Sequence, residues 1–204
     1  MNQLIANHLL LLFLFSIVFI TYVHAQESEE ELIQKYITNS KPFTDKRDGK
    51  TYKTIKIGKQ IWMAENLAFK SPKGYYAYDD NESIAIDNGY LYEWQVAINV
   101  CPEGWSLPNK NDFLMLLYTV SKISKKPSKE LIVGGCSGFE AKQSGWRDEL
   151  GYYSDLGENG NYWSSTKSIS GRSWLLFVGK KGKKSYLDFA PYKIGVSVRC
   201  IKNK

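Results

Sequence analysis

Histidine is nearly absent from this chain: there are two, His8 and His24, and both lie in the first 25 residues. Beyond Ala25 there is none. That excludes Ser-His-Asp and Cys-His catalysis, histidine-ligated zinc and any imidazole acid–base step from the body of the protein. Cysteine is also scarce, with Cys101, Cys136 and Cys200 only. In an oxidising compartment three cysteines imply one disulfide and one leftover thiol, the pairing being open at this level. Charge is missing altogether from the first 25 residues, so all 27 Lys+Arg and 21 Asp+Glu, and hence the net charge of +6, belong to residues 26–204.

What stands in those first residues is an apolar run, LLLLFLFSIVFITYV, ending in Val23-His24-Ala25. The run is short and N-terminal, with small residues where a signal peptidase cuts, so residues 1–25 read as a signal peptide without the Lys or Arg usual at its start. No cysteine sits at the expected cut, which argues against a lipid anchor. The expected destination is the periplasm, the cell surface or the extracellular space, and membrane contact is expected only through this segment if it stays uncleaved. The moderate positive charge fits an anionic surface or polymer but mostly bears on solubility. An exported chain with no recognised nucleic-acid motif is not expected to bind nucleic acid.

Residues 26–47 read as a tether or a short helix, with Leu32, Ile33, Tyr36 and Ile37 on one face behind an acidic first turn. Pro42 and the polar run to Asp48-Gly49 mark the boundary of a domain spanning 48–204. Asp48-Gly49 opens a strand over 51–58, and Gly58-Lys59 turns into QIWMAENLAF, with Trp62 and Leu67 as core and Asn66 placed to satisfy loop backbone groups. Residues 71–92 read as the least regular part, and Gly89–Ala97 as a short strand running into helix. The best-marked helix starts at Asn109, an N-cap with Asp112 three residues on, and carries Phe113, Leu114, Leu116, Leu117 and Val120 as an apolar stripe. SKISKKPSKE after it reads as a solvated connector. From residue 132 the chain is rich in Gly and Asn, hence in tight turns. A hairpin comes next, Trp174–Val178 with Tyr186–Phe189 through a four-lysine tip, and then a last strand over Ile194–Ile201.

Six stretches occur in one characteristic order: DGKTYKTIKIGKQIWMAENL, GYLYEWQVA, CPEGWSLPNKNDFLML, GFEAKQSGWR, NYWSST and GVSVRC. In this the chain resembles the Fibrobacter succinogenes major paralogous domain over about residues 48–202. Where that family has Glu and Trp at the helix start, this chain has Asp112 and Phe113, which keep charge and bulk. The resemblance implies a secreted or surface protein of a Fibrobacter- or Bacteroidota-type bacterium. It also implies an α+β fold related to C-type-lectin-like and sulfatase-modifying-factor domains: a loop-rich, twisted antiparallel sheet with one or two flanking helices. It further implies that Cys101 pairs with Cys200, with Cys136 left buried or free.

The functional expectations fall into three classes. The leading one is a non-enzymatic binding or adhesion module for glycans or another surface polymer. Tyr75, Tyr76, Tyr78, Trp146, Tyr152 and Tyr153 are the stacking residues, and Asp79, Asp80, Glu158 and Asn159 the hydrogen-bonding ones. Calcium is an option at the acid-rich 79–88 stretch, but the spacing matches no EF-hand and no Glu-Pro-Asn or Trp-Asn-Asp lectin signature is present. No metal or other cofactor is therefore expected. The alternative is a cell-envelope module that recognises protein. An enzymatic reading needs either a copper-binding cysteine pair, which Cys101 and Cys200 do not suit if they are structural, or a carboxylate pair among Glu140, Asp148, Glu149, Asp155 and Glu158.

Overall fold

In the computed structural model, which describes residues 27–203, helices and three sheets alternate along the chain. The segment 1–25, read from sequence as a signal peptide, lies outside the described residues, and among those described no helix is long and apolar enough to cross a membrane.

Of the two readings of residues 26–47, the tether gives way to structure. Ser28 opens α1 (Glu29–Tyr36) with a capping box. Its hydroxyl accepts from the Glu31 amide at 3.2 Å, and Glu31 Oε2 accepts from the Ser28 amide at 2.8 Å. β1 (Ile37–Asn39) follows. β2 (Phe43–Thr44) and β3 (Thr51–Tyr52) then pair as a hairpin whose turn holds Asp48-Gly49. β4 (Thr54–Ile57) turns through Gly58-Lys59 into β5 (Gln60–Met63), and β1 pairs on the other side of β4. The single strand expected over 51–58 is thus two strands in two sheets. The break is Lys53, whose amide donates to Glu65 Oε2 at 2.6 Å instead of to a ladder.

Within the β2–β3 turn Asp45 is wholly buried and chelates Arg47, taking Nε at 2.9 Å and Nη2 at 2.6 Å. Burial pushes the Asp45 carboxyl up, but the Arg47 guanidinium and amide outweigh it and hold it below its ordinary value. A carboxylate depressed in the folded state contributes stability above its unfolded pKa and loses it as pH falls through the folded one. Stability is therefore expected to fall on acidification below about pH 4, and Asp45→Asn is expected to flatten that fall in urea melts run across pH.

Residues 71–92 are more regular than their composition suggests. β6 (Tyr75–Tyr76), α2 (Glu82–Asn88) and β7 (Leu91–Tyr92) all lie there, with a 3-10 turn at Tyr78–Asp80. Asn81 caps α2 by accepting from the Ser83 amide at 3.0 Å, so the polar residues read as a loop are a cap and a first turn. α3 (Trp94–Val100) is the helix expected after Gly89, and β8 (Trp105–Ser106) precedes the main helix, α4 (Lys110–Ile123). Its capping box is as read, Asn109 accepting from Asp112 N–H at 3.1 Å and Asp112 from Asn109 N–H at 2.9 Å. Its buried stripe is shifted, however. Leu114 is 47% exposed, and Thr119 and Ile123 take the inward places beside Phe113, Leu116 and Val120. Thr119 fits because its hydroxyl donates back to Met115 O at 2.8 Å. The Lys-rich connector is partly helical too: α4 runs into it, and α5 (Pro127–Leu131) starts with Pro127 in the first turn.

The large sheet comprises β9 (Ser144–Arg147), β10 (Tyr153–Leu156), β11 (Asn159–Lys167), β12 (Arg172–Gly179), β13 (Ser185–Pro191) and β14 (Val196–Ser197), with β7 and β6 at one edge. It is mixed rather than purely antiparallel, since β11 runs parallel to both β9 and β14. Its central strands are buried on both faces. Trp163 and Leu175 enter one core cluster, whereas Tyr162, Leu176 and Val178 enter the cluster under α4.

The expected closing strand is also two strands. β14 belongs to the large sheet and β15 (Ile201–Lys202) to the five-stranded sheet β1-β4-β5-β15-β8. The residues between them cross from one sheet to the other and are pinned twice. Cys200 is bonded to Cys101, with Cα atoms 5.9 Å apart and a sequence separation of 99. Arg199 is wholly buried. Its guanidinium donates to Asn66 Oδ1 (2.5 Å from Nη2), Glu140 O (3.1 Å), Met63 O (3.3 Å) and Phe139 O, and lies against the Phe139 and Tyr162 rings. Asn66 completes the hub by donating to Asn88 O, Ser144 Oγ and Ser197 Oγ at 2.9–3.2 Å. Cys136 is the free thiol, half-buried, its pKa pushed up to about 12 by burial and then by the Glu130 carboxylate beside it.

Candidate ligand groove

Two hairpins that are distant in sequence meet beside the large sheet: β9–β10, and β12–β13. Within the first, Gly145 lets β9 and β10 approach closely. Its φ of +66° suits glycine, and a Cβ there would stand 2.3 Å from Ser154 O. Between the hairpins lies an open groove of about 530 Å³. Its aromatic lining is Trp146, Phe177, Tyr186 and Phe189, and its carboxylates are Asp148, Glu149, Asp155 and Asp188.

Alternation along the strands puts these side chains there. Phe177 faces Tyr186 across the β12–β13 ladder and Leu175 faces Asp188, so Phe177, Tyr186 and Asp188 share the side on which Leu175 is buried. The Phe177 and Tyr186 rings stack with centroids 4.8 Å apart. Phe189, one residue out of phase, packs its ring edge-on against Trp174. Trp146 is half-buried on the opposite wall, its indole N–H donating to Asp155 Oδ2 at 3.1 Å, and Asn159 Nδ2 donates to the same oxygen at 3.0 Å. Asp148 Oδ1 accepts from the Leu150 and Tyr152 amides, both at 2.8 Å, closing the β9–β10 turn. At the tip of that turn Leu150 is 83% and Tyr152 70% exposed.

The residues expected to bind ligand from sequence divide into separate places. Trp146 lines the groove, with Asn159 behind it and Tyr152 at its rim. Tyr76, Tyr78, Asp80 and Tyr153 come together elsewhere, around Arg147. Its guanidinium lies 3.9 Å from the Tyr76 centroid, and Tyr153 packs on Tyr78 at 5.1 Å and donates to Asp80 Oδ1 at 2.7 Å. Burial and then Asp80 push the Tyr153 phenol up to about 12, and burial with Glu93 raises Tyr76. That cluster is closed packing of rings around Arg147, whose Nε is left buried without a hydrogen-bond partner among the described residues. Tyr75 packs edge-on against Tyr90, Asp79 is exposed in a left-handed turn conformation (φ 52°), and Glu158 pairs with Lys180. Of the acids considered for a carboxylate pair, Asp148, Glu149 and Asp155 line the groove, while Glu140 bonds the Gly134 amide and Glu158 stands apart.

Sequence reasoning missed Phe177, Tyr186, Asp188 and Asn161, all residues of strands. The available signal was aromatic residues at both Trp174 and Phe177, which sends rings to both faces of one hairpin; only one face can go into a core. A larger hollow of about 950 Å³ lies between α1 and the end of α4, but its lining mixes Glu27, Glu29 and Glu130 with Lys122, Lys125 and Lys126 and contains no aromatic ring. No group of three or more His, Cys, Asp or Glu side chains converges as a metal site among the described residues.

Compared with known proteins, residues 55–202 match the sequence family described as the Fibrobacter succinogenes major domain. No curated protein and no solved structure matches the chain.

Proposed function

The chain belongs to the Fibrobacter succinogenes major domain family, and from that premise we propose that it is an exported, non-enzymatic binding module whose groove takes a glycan or a related surface polymer. The observation that carries the reading is the groove itself, with flat rings on its walls and carboxylates among them. A sugar ring offers C–H faces that stack on Trp and Tyr, and hydroxyls that donate to carboxylates, which is what such a lining complements. The disulfide supports export, since such bonds persist in oxidising compartments. A C-type-lectin-like ancestry for the fold is part of the same proposal, and it places no weight on calcium.

The test is a glycan array and polysaccharide pull-down with the folded domain, with and without calcium. Saturable binding is expected in both buffers. Trp146→Ala is expected to weaken it by about tenfold or more, in line with 1–3 kcal/mol for a stacked ring, and Tyr186→Ala similarly. Absence of binding to any glycan by protein with a normal thermal transition would remove the glycan reading. The exposed Leu150 and Tyr152 at the rim would then direct the search to an envelope protein partner.

A further inference from the structure

Resting on the glycan reading of the groove, we infer that the saccharide it takes carries free ammonium groups, as an oligomer of unacetylated amino sugar does. The chain has 27 Lys+Arg against 21 Asp+Glu, so basic groups are in modest excess over its whole length. The groove is the reverse. Its lining holds four carboxylates and no Lys or Arg. Among the described residues none of those four is in an ion pair, although four other acids are. Asp155 and Asp148 spend oxygens on the Trp146 indole and on the amides of their own turn, whereas Glu149 accepts no hydrogen bond among the described residues.

A second, independent observation points to a ligand in the same place. Asn161 lines the groove floor, opposite Phe177 in the β11–β12 register, and is only 9% exposed. Its side-chain amide nevertheless has no hydrogen-bond partner among the described residues. Its amide is not among the fully enclosed side-chain atoms that lack a partner, so it opens onto the groove and is met by whatever enters it. An amide is both donor and acceptor and suits a sugar hydroxyl. The rings suit the rest of such a ligand, because Trp and Tyr faces attract ammonium groups as well as C–H bonds. Lys184 illustrates this at one end, its Nζ 5.3 Å from the Tyr186 ring centroid although it is not part of the lining. The carboxylates do not converge on one point, which is a poor arrangement for a metal ion and a suitable one for charges repeated along a chain.

The experiment titrates the full domain with four probes of matched length by calorimetry: a glucosamine oligomer, the N-acetylglucosamine oligomer, a cello-oligomer and an oligolysine. The glucosamine oligomer is expected to bind about tenfold tighter or more than the two neutral sugars, with an affinity that falls as salt rises. The double change Glu149→Gln with Asp188→Asn is expected to erase that preference, weakening the glucosamine oligomer about tenfold more than either neutral sugar, and both residues are exposed, so folding is preserved. Equal binding of all three sugars would overturn the inference and leave the glycan reading standing. Oligolysine binding as tightly as the glucosamine oligomer would overturn it in favour of a basic peptide, and binding of none of the four would remove both.

Discussion

Arg199→Met is expected to lower the unfolding free energy by about 3–5 kcal/mol, a large share of the 5–15 kcal/mol typical of a domain. A buried arginine does not stabilise by being charged. Burial lowers its pKa from the usual value, which is the signature of a desolvation cost, yet arginine remains protonated in proteins. Where an ion pair can be replaced on both sides by apolar residues, the exchange can be neutral. That route is closed here, because three of the four acceptors are the main-chain carbonyls of Met63, Phe139 and Glu140. Methionine would fill the volume and leave those oxygens and Asn66 Oδ1 buried without donors, at about 1–3 kcal/mol for each left unmet. Arg199→Lys is expected to recover little, since one ammonium cannot reach acceptors spread around a planar fork. Asn66→Ala in the same background should be strongly non-additive, the two residues forming one hub. Chemical melts of the three variants and the double variant measure this; an Arg199→Met protein within 1 kcal/mol of wild type would show that the hub is not what joins the two sheets.

Removing the disulfide as Cys101→Ala with Cys200→Ala is expected to cost about 4–5 kcal/mol, the chain-entropy value for a loop of this length. For a chain of this size that is a fall of roughly 10–20 °C in melting temperature. Alanine is the informative replacement because Cys200 is wholly buried in an apolar core cluster, where a hydroxyl would add its own penalty. Reduction of the wild-type protein should reproduce the shift, since the half-buried Cys136 thiol offers no second bridge. A drop of under 2 kcal/mol on both routes would mean that the unfolded chain is already compact around this loop.

The sequence reached the local features and stopped where distance in the chain began. The capping box at Asn109 and Asp112 is written in four residues, and the β12–β13 hairpin in the alternation from Trp174 to Phe189; both were legible. The pairing of Cys101 with Cys200 was legible through family resemblance alone. The Asn66–Arg199 contact joins residues 133 positions apart and leaves no periodic trace. The groove was missed for the same reason. Trp146 was singled out, but its counterparts Tyr186 and Asp188 lie on another hairpin and look like ordinary strand residues. Conversely, Tyr76, Tyr78 and Tyr153 looked like stacking residues because nothing in their neighbourhood announces that Arg147 lies between them. An aromatic near acids in sequence is weak evidence of a site; an aromatic whose partners across a ladder are also unburied is stronger.

The most direct test of the groove is to follow the Trp146 indole N–H and the Asn161 side-chain amide by nuclear magnetic resonance during titration with a glucosamine oligomer. Both signals should shift in step and saturate together, with backbone shifts confined to 144–161 and 175–196, while the Trp94 and Trp163 indoles, bonded to Ser164 O and Tyr92 O, stay in place. Saturable shifts clustered on α1 and the end of α4, or around the Tyr76–Arg147–Tyr153 cluster, with Trp146 and Asn161 unmoved, would contradict the assignment of the groove as the ligand site.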